Sequence, residues 1–114
     1  PIVEADDVCD QLLEFEKNTN SKTPFVIDLL TELIQIRVNC EAKVVNYVKQ
    51  IMIDPNDLAK GAKKRKQRQH TQLHCNREGL ARTLGWTAMD TVYDKDMKYV
   101  VTLLTSPEDC SSND

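Results

Sequence analysis

The chain has 114 residues, 40% hydrophobic and 29% charged, with a formal net charge of -3. These values fit one globular domain with its own core and exclude wholesale disorder. The 3 Gly and 4 Pro exclude a collagen-like chain, and no apolar run approaches the roughly 18 residues of a membrane span.

Asp6 or Asp7 can cap a first helix running to about Lys17, with Val8, Leu12 and Phe15 on one face. Residues 18–22 form a polar loop. Thr23-Pro24 then reads as a helix start, with a hydroxyl at the N-cap and proline at the first helical position. Val26, Leu29, Leu30, Leu33 and Ile34 come next at 3–4 spacing, so a central second helix is expected, with Leu30 in the core. Val44, Val45, Val48, Ile51 and Met52 again have helical period and predict a third helix. Asp54-Pro55 repeats the cap-plus-proline signal and should open a fourth helix through Leu58, Ala59 and Ala62.

From Lys63 to Gln72 there is no aliphatic residue, so that stretch reads as an exposed helix extension or a mobile loop. A short helix is expected around Leu80, Ala81 and Leu84, with Gly85 on its C-terminal side. Trp86, the lone tryptophan, reads as a core anchor. Tyr93, Met97, Val100, Val101 and Leu104 form a helical face, although Tyr99 to Thr102 is strand-like locally. Cys110 to Asp114 reads as a frayed tail. The expected fold class is therefore all-α. Residues 1–114 would form one compact bundle of five or six helices, and a short β element near residues 97–105 is the alternative.

The charge is unevenly distributed. Residues 1–59 carry 11 acids and 5 bases, residues 60–82 carry 8 bases and one acid, and residues 83–114 carry 6 acids and 2 bases. Lys60, Lys63, Lys64, Arg65, Lys66, Arg68, Arg77 and Arg82 make a locally positive, exposed segment on an acidic whole. Such a cluster suits phosphate contact on RNA or DNA, or an import receptor's acidic groove. No aromatic residue lies within 60–82 to stack on bases. Leu80-Ala81-Arg82-Thr83-Leu84-Gly85 resembles the first helix and turn of helix-turn-helix DNA readers. The resemblance implies a recognition helix from about Ala88, where Asp90, Asp94 and Asp96 would face phosphates.

His70, His74 and Cys75 are the one metal-like constellation, because residues four apart share a helix face. No fourth ligand is spaced to complete it, so no metal or other cofactor is expected. Cys9, Cys40, Cys75 and Cys110 are sparse and form no CxxC, which predicts reduced thiols. The acidic start of the chain lacks a signal-peptide pattern. Nucleus or cytoplasm is the expected location. Nucleotide-loop and nucleophile-elbow motifs are absent, so no enzyme is expected. The expected function is a helical protein–protein interaction module carrying a nuclear-targeting or phosphate-contacting segment. An apolar groove between helices would accept a partner segment or a second copy. A nucleic-acid-binding module using residues 60–82 is the alternative. No membrane contact is expected.

Overall fold

The computed structural model describes residues 5–111, with side-chain detail from Asp7 to Cys110. The order is α1 (Ala5–Asn20), β1 (Phe25–Asp28), β2 (Thr31–Asn39), β3 (Val44–Ile51), a 3-10 turn (Pro55–Asp57), α2 (Ala62–Cys75), α3 (Leu80–Leu84), β4 (Thr87–Tyr93), β5 (Tyr99–Thr105) and α4 (Pro107–Ser111). The strands form one sheet in the order β1-β2-β3-β4-β5. Neighbours pair antiparallel except β3 and β4, which run parallel. A parallel pair needs a long crossover, and residues 52–86 supply it with α2 and α3.

The fold is therefore mixed α/β, and the all-α expectation is wrong. The second expected helix is the β1–β2 hairpin, which comes after a cis Thr23–Pro24 peptide. The helix-like spacing within β2 comes from a bulge, while Leu29 and Leu30 lie in the hairpin turn. Leu33 pairs with Lys49 but Gln35 pairs with Val48, so one extra residue shifts the alternation. Leu33 and Ile36, three apart, are thereby both buried. Leu30, expected in the core, is 48% exposed. The third expected helix is β3, whose β-branched residues favour a pleated surface. The last expected helix is the end of β4, a turn and β5. Asp94 and Asp96 sit in that turn, where Asp94 Oδ1 accepts from the Asp96 and Lys98 amides at 2.8 and 2.9 Å.

Other expectations hold in part. α1 and α3 form where expected, and Gly85 ends α3 in the left-handed conformation at φ 71°. Beyond Gly85 and Trp86 the chain enters strand β4, so the helix-turn-helix resemblance fails at its second helix. Asp54 caps as expected, accepting from the Asn56 amide, but it opens a three-residue 3-10 turn. Lys63 to Gln72 is helical, within α2.

Strand register puts Leu33, Ile36, Val38, Val45, Tyr47, Lys49, Ala88, Asp90, Val92, Val101, Leu103 and Thr105 on one sheet face. α1 covers β2 on that face, where Val8 and Leu12 pack on Leu33, Ile36, Val45 and Trp86. Trp86 is buried, as expected. The side chain of Asn20 closes the helix onto the strand, bonding both the amide and carbonyl of Ile36 at 2.8 Å. Beyond it, Glu16 accepts from the Val38 amide.

All four cysteines are paired, Cys9 with Cys40 and Cys75 with Cys110, at Cα separations of 5.6 and 5.1 Å. The first bridge ties α1 to the end of β2, and the second ties the end of α2 to α4. Cys110 is therefore buried and covalently held; residues 112–114 of the expected tail lie outside the described residues. The reduced-thiol expectation fails, and with it the nucleus or cytoplasm. Disulfides persist in oxidising, extracytoplasmic compartments. Sparse cysteines gave no framework pattern because each bridge closes a loop of more than 30 residues.

Denatured, non-reduced protein should show no thiol reactive to alkylation. The Cys75→Ser/Cys110→Ser pair should cost about 2–4 kcal/mol in denaturant melts, and reduction of both bridges should cost more. A full complement of four reactive thiols in protein taken from its native compartment would contradict this assignment.

Candidate functional site

α2 docks on the sheet through polar side chains. Its buried residues are His70, His74 and Cys75, whereas Leu73 is 59% exposed. His70 Nδ1 lies 2.7 Å from the Thr105 hydroxyl, which also contacts Thr71 Oγ1 at 3.3 Å. On its other side, His70 Nε2 is 3.3 Å from Asp90 Oδ1, a polar contact not aligned as a hydrogen bond. Lys49 Nζ donates to Asp90 Oδ2 at 2.6 Å. Gln67 bonds both the amide and the carbonyl of Leu104, at 3.0 and 2.8 Å, along the outer edge of β5.

Asp90, His70 and Thr105 are in the order of a nucleophile relay. Thr105 is fully buried and shared with Thr71, so no substrate carbonyl can reach it. The cluster holds a helix in place. His70 and His74 lie ring beside ring, tilted by 56° with centres 4.5 Å apart. Cys75 is consumed in a disulfide and offers no thiolate. Among the described residues, no group of three or more His, Cys, Asp or Glu side chains is placed to hold a metal ion.

Between the hairpin and the start of α2 the same sheet face is left open. A groove of about 550 Å³ lies there. Its floor is Lys49, Ile51, Asp90, Val92, Val101 and Leu103. One wall is the hairpin turn, with Ile27, Leu29 and Leu30; Leu29 is 96% exposed. The facing wall is Leu58, Ala62, Lys63 and Lys66. Asp28 stands on the hairpin side; the Leu30 amide bound to its carboxylate, with help from Lys66, holds its carboxyl below the usual value.

The structure divides the expected basic site. Lys63 and Lys66 line the groove. Lys60, Lys64, Arg65 and Arg68 are exposed away from it, and Arg65 Nη1 donates to the Lys60 carbonyl at 3.1 Å. Arg77 and Arg82 lie past the far end of α2, where Arg82 Nη1 bonds the Cys75 carbonyl at 3.1 Å. Gly79 allows that close return, since a Cβ there would overlap the His74 carbonyl. The expected function as a helical nuclear or nucleic-acid-binding module is overturned by the sheet and the two disulfides. Sequence reasoning missed the groove's apolar wall because Ile27, Leu29 and Leu30 read as core.

The buried cluster makes stability pH-dependent. Burial, then the neighbouring His70, push His74 down to about 4, with Lys49 adding to that and Asp90 opposing it. Burial alone would raise the Asp90 carboxyl, but the facing His70 and the Lys49 ammonium outweigh it and hold it low. Burial, then Asp90, raise the Tyr47 hydroxyl. The unfolded chain protonates its His74 near 6.5, before the folded chain does. Stability should therefore fall as pH drops from about 6.5 to about 4, and fall again below 3.8 as Asp90 protonates. Urea melts across pH should show a shallower slope in the upper window for His74→Gln than for the parent. Identical slopes would mean that His74 is not neutral in the fold.

No known protein family matches the sequence, and no curated protein is detectably similar to it. Two solved structures share the fold. One is a candidate secreted protein from Pseudomonas aeruginosa, 12% identical, with a TM-score of 0.70 over 96% of this chain and 98% of the other. The second is the pilotin EpsS of the Vibrio vulnificus type 2 secretion system, 6% identical, with a TM-score of 0.70 over 93% and 94%. At such identities the likeness is one of fold.

Proposed function

We propose that this protein is a non-enzymatic, extracytoplasmic binding protein with a secretion-related role, which holds an apolar segment of a partner protein in the open groove. The groove itself carries this reading. On the floor Ile51 and Val101 stay only partly buried beside the buried Val92 and Leu103, and one wall contains a nearly fully exposed leucine. Exposed apolar surface of this kind is costly in water and marks interaction sites. The two disulfides support an oxidising compartment. The fold shared with a pilotin supports a role beside secretion machinery and a protein as the partner. Among the described residues, no helix is long and apolar enough to cross a membrane.

A photo-crosslinking side chain at Leu30 should trap one discrete protein partner in the native compartment. The same group at Arg37, exposed on the opposite sheet face, should not. Leu30→Asp should keep the parental fold and stability within about 0.5 kcal/mol, because it replaces a half-exposed residue. It should weaken partner binding about tenfold or more, as loss of an interface anchor does. Crosslinks from neither position, or only from Arg37, would refute the groove as the binding site.

A further inference from the structure

We infer that the groove takes an amphipathic α-helix of the partner, with an acidic flank lying against Lys63 and Lys66. This rests on the reading of the groove as a partner site. Three observations lead to it.

The first is the state of the floor. Ile51, Val92 and Val101 lie on β3, β4 and β5, and β3 and β4 each have hydrogen-bonded neighbours on both sides. The floor therefore presents the partly exposed side chains of Ile51 and Val101 over a buried Val92, and no unpaired central backbone. An extended segment laid across it would bury its own amides and carbonyls without partners. A helix satisfies its backbone internally and can lie on such a surface.

The second is the layering of the fold. A sheet face with apolar side chains is stable when helices cover it. α1 covers β2 and α2 lies against β5, while between the hairpin turn and the start of α2 an open groove leaves Ile51 and Val101 only partly buried. The missing element in that layer is another helix.

The third is charge. Lys63 and Lys66 are three apart in α2, one turn along the same side, and both line the wall. Lys49 in the floor is already paired with Asp90. The opposite wall contributes Asp28, so the two walls differ in sign. A helix lying beside α2 would meet two lysine ammoniums on that flank. Carboxylates in two successive turns match them, while a basic flank there would be repelled.

The probe is a designed helical peptide of about four turns, with leucines on one face and glutamates along one flank. Two companions replace those glutamates by glutamine or by lysine. A fourth peptide has the same charges in a strand-forming, β-branched sequence. Affinities are read by fluorescence anisotropy on the intact, disulfide-bonded protein. The glutamate peptide should bind about five- to tenfold more tightly than the glutamine peptide, the range expected of two exposed ion pairs. The lysine peptide should bind least. High salt should close the gap between the glutamate and glutamine peptides. The Lys63→Gln/Lys66→Gln pair should close it too, with affinity for the glutamine peptide unchanged. Equal affinity for the glutamate and glutamine peptides would overturn the acidic flank and leave the groove reading standing. Tighter binding of the strand-forming peptide would overturn the helix. Glutamate-peptide binding that survives Leu30→Asp undiminished would place the attraction elsewhere and overturn the inference. Failure of all four peptides to bind would overturn the inference and the groove reading together.

Discussion

The arrangement depends on α2 being fastened to the sheet by directional polar contacts. A helix with an apolar stripe can slide or roll at modest cost, because hydrophobic attraction is non-directional. α2 has almost no stripe to slide on: its inward residues are His70, His74 and Cys75, and its leucine faces water. His70 against Thr105, Gln67 against the Leu104 backbone and the disulfide to Cys110 leave it one position and one rotation. That rotation turns Lys63 and Lys66 toward the groove while Lys64 and Arg65 face solvent. The cost of this fastening is a set of buried ionisable groups, which ties the helix to the protonation state beneath it.

The elements legible in the sequence were those governed by local chemistry. Gly85 marked the end of α3 and Asp54 caps where expected, because each satisfies backbone groups within a few residues of itself. Asp54 nevertheless opens a 3-10 turn in place of the expected helix, and α1 begins at Ala5, ahead of the expected caps Asp6 or Asp7. The strands were illegible for two physical reasons. The bulge in β2 gives Leu33 and Ile36 a spacing of three, which mimics a helix. On β3, β4 and β5 the covered face carries Tyr47, Lys49, Asp90 and Thr105, so polar residues occupy positions where alternation would require apolar ones. These side chains satisfy one another only across elements, and no single segment contains that information. The disulfides were hidden in the same way, since each joins segments more than 30 residues apart.

The candidate site was legible in part. The lysines stood out as a cluster, and two of the eight cations singled out by sequence line the groove. Their chemical context did not show. A run of cations reads as a polyanion-binding surface until the apolar wall opposite it is known. That wall, Ile27 to Leu30, carried the strongest core signal in the chain and proved to be among its most exposed stretches. A long apolar run is ambiguous between a residue set the fold buries and one left for something else to bury.

The two outer margins of the sheet are finished differently. At β5 the Gln67 amide occupies the hydrogen-bonding groups of Leu104, and α1 does the same for the part of β2 that runs past β1. The outer margin of β1 has no such amide among the described residues, and its four residues are all exposed. Lateral polymerisation into a continuous cross-strand fibre requires every subunit to offer two free margins. Gln67 interrupts the β5 margin at Leu104, which hinders continuous pairing of a second strand along that side. Strand-by-strand addition is therefore easier between two β1 margins than onto β5, a bias toward pairs and against open-ended growth.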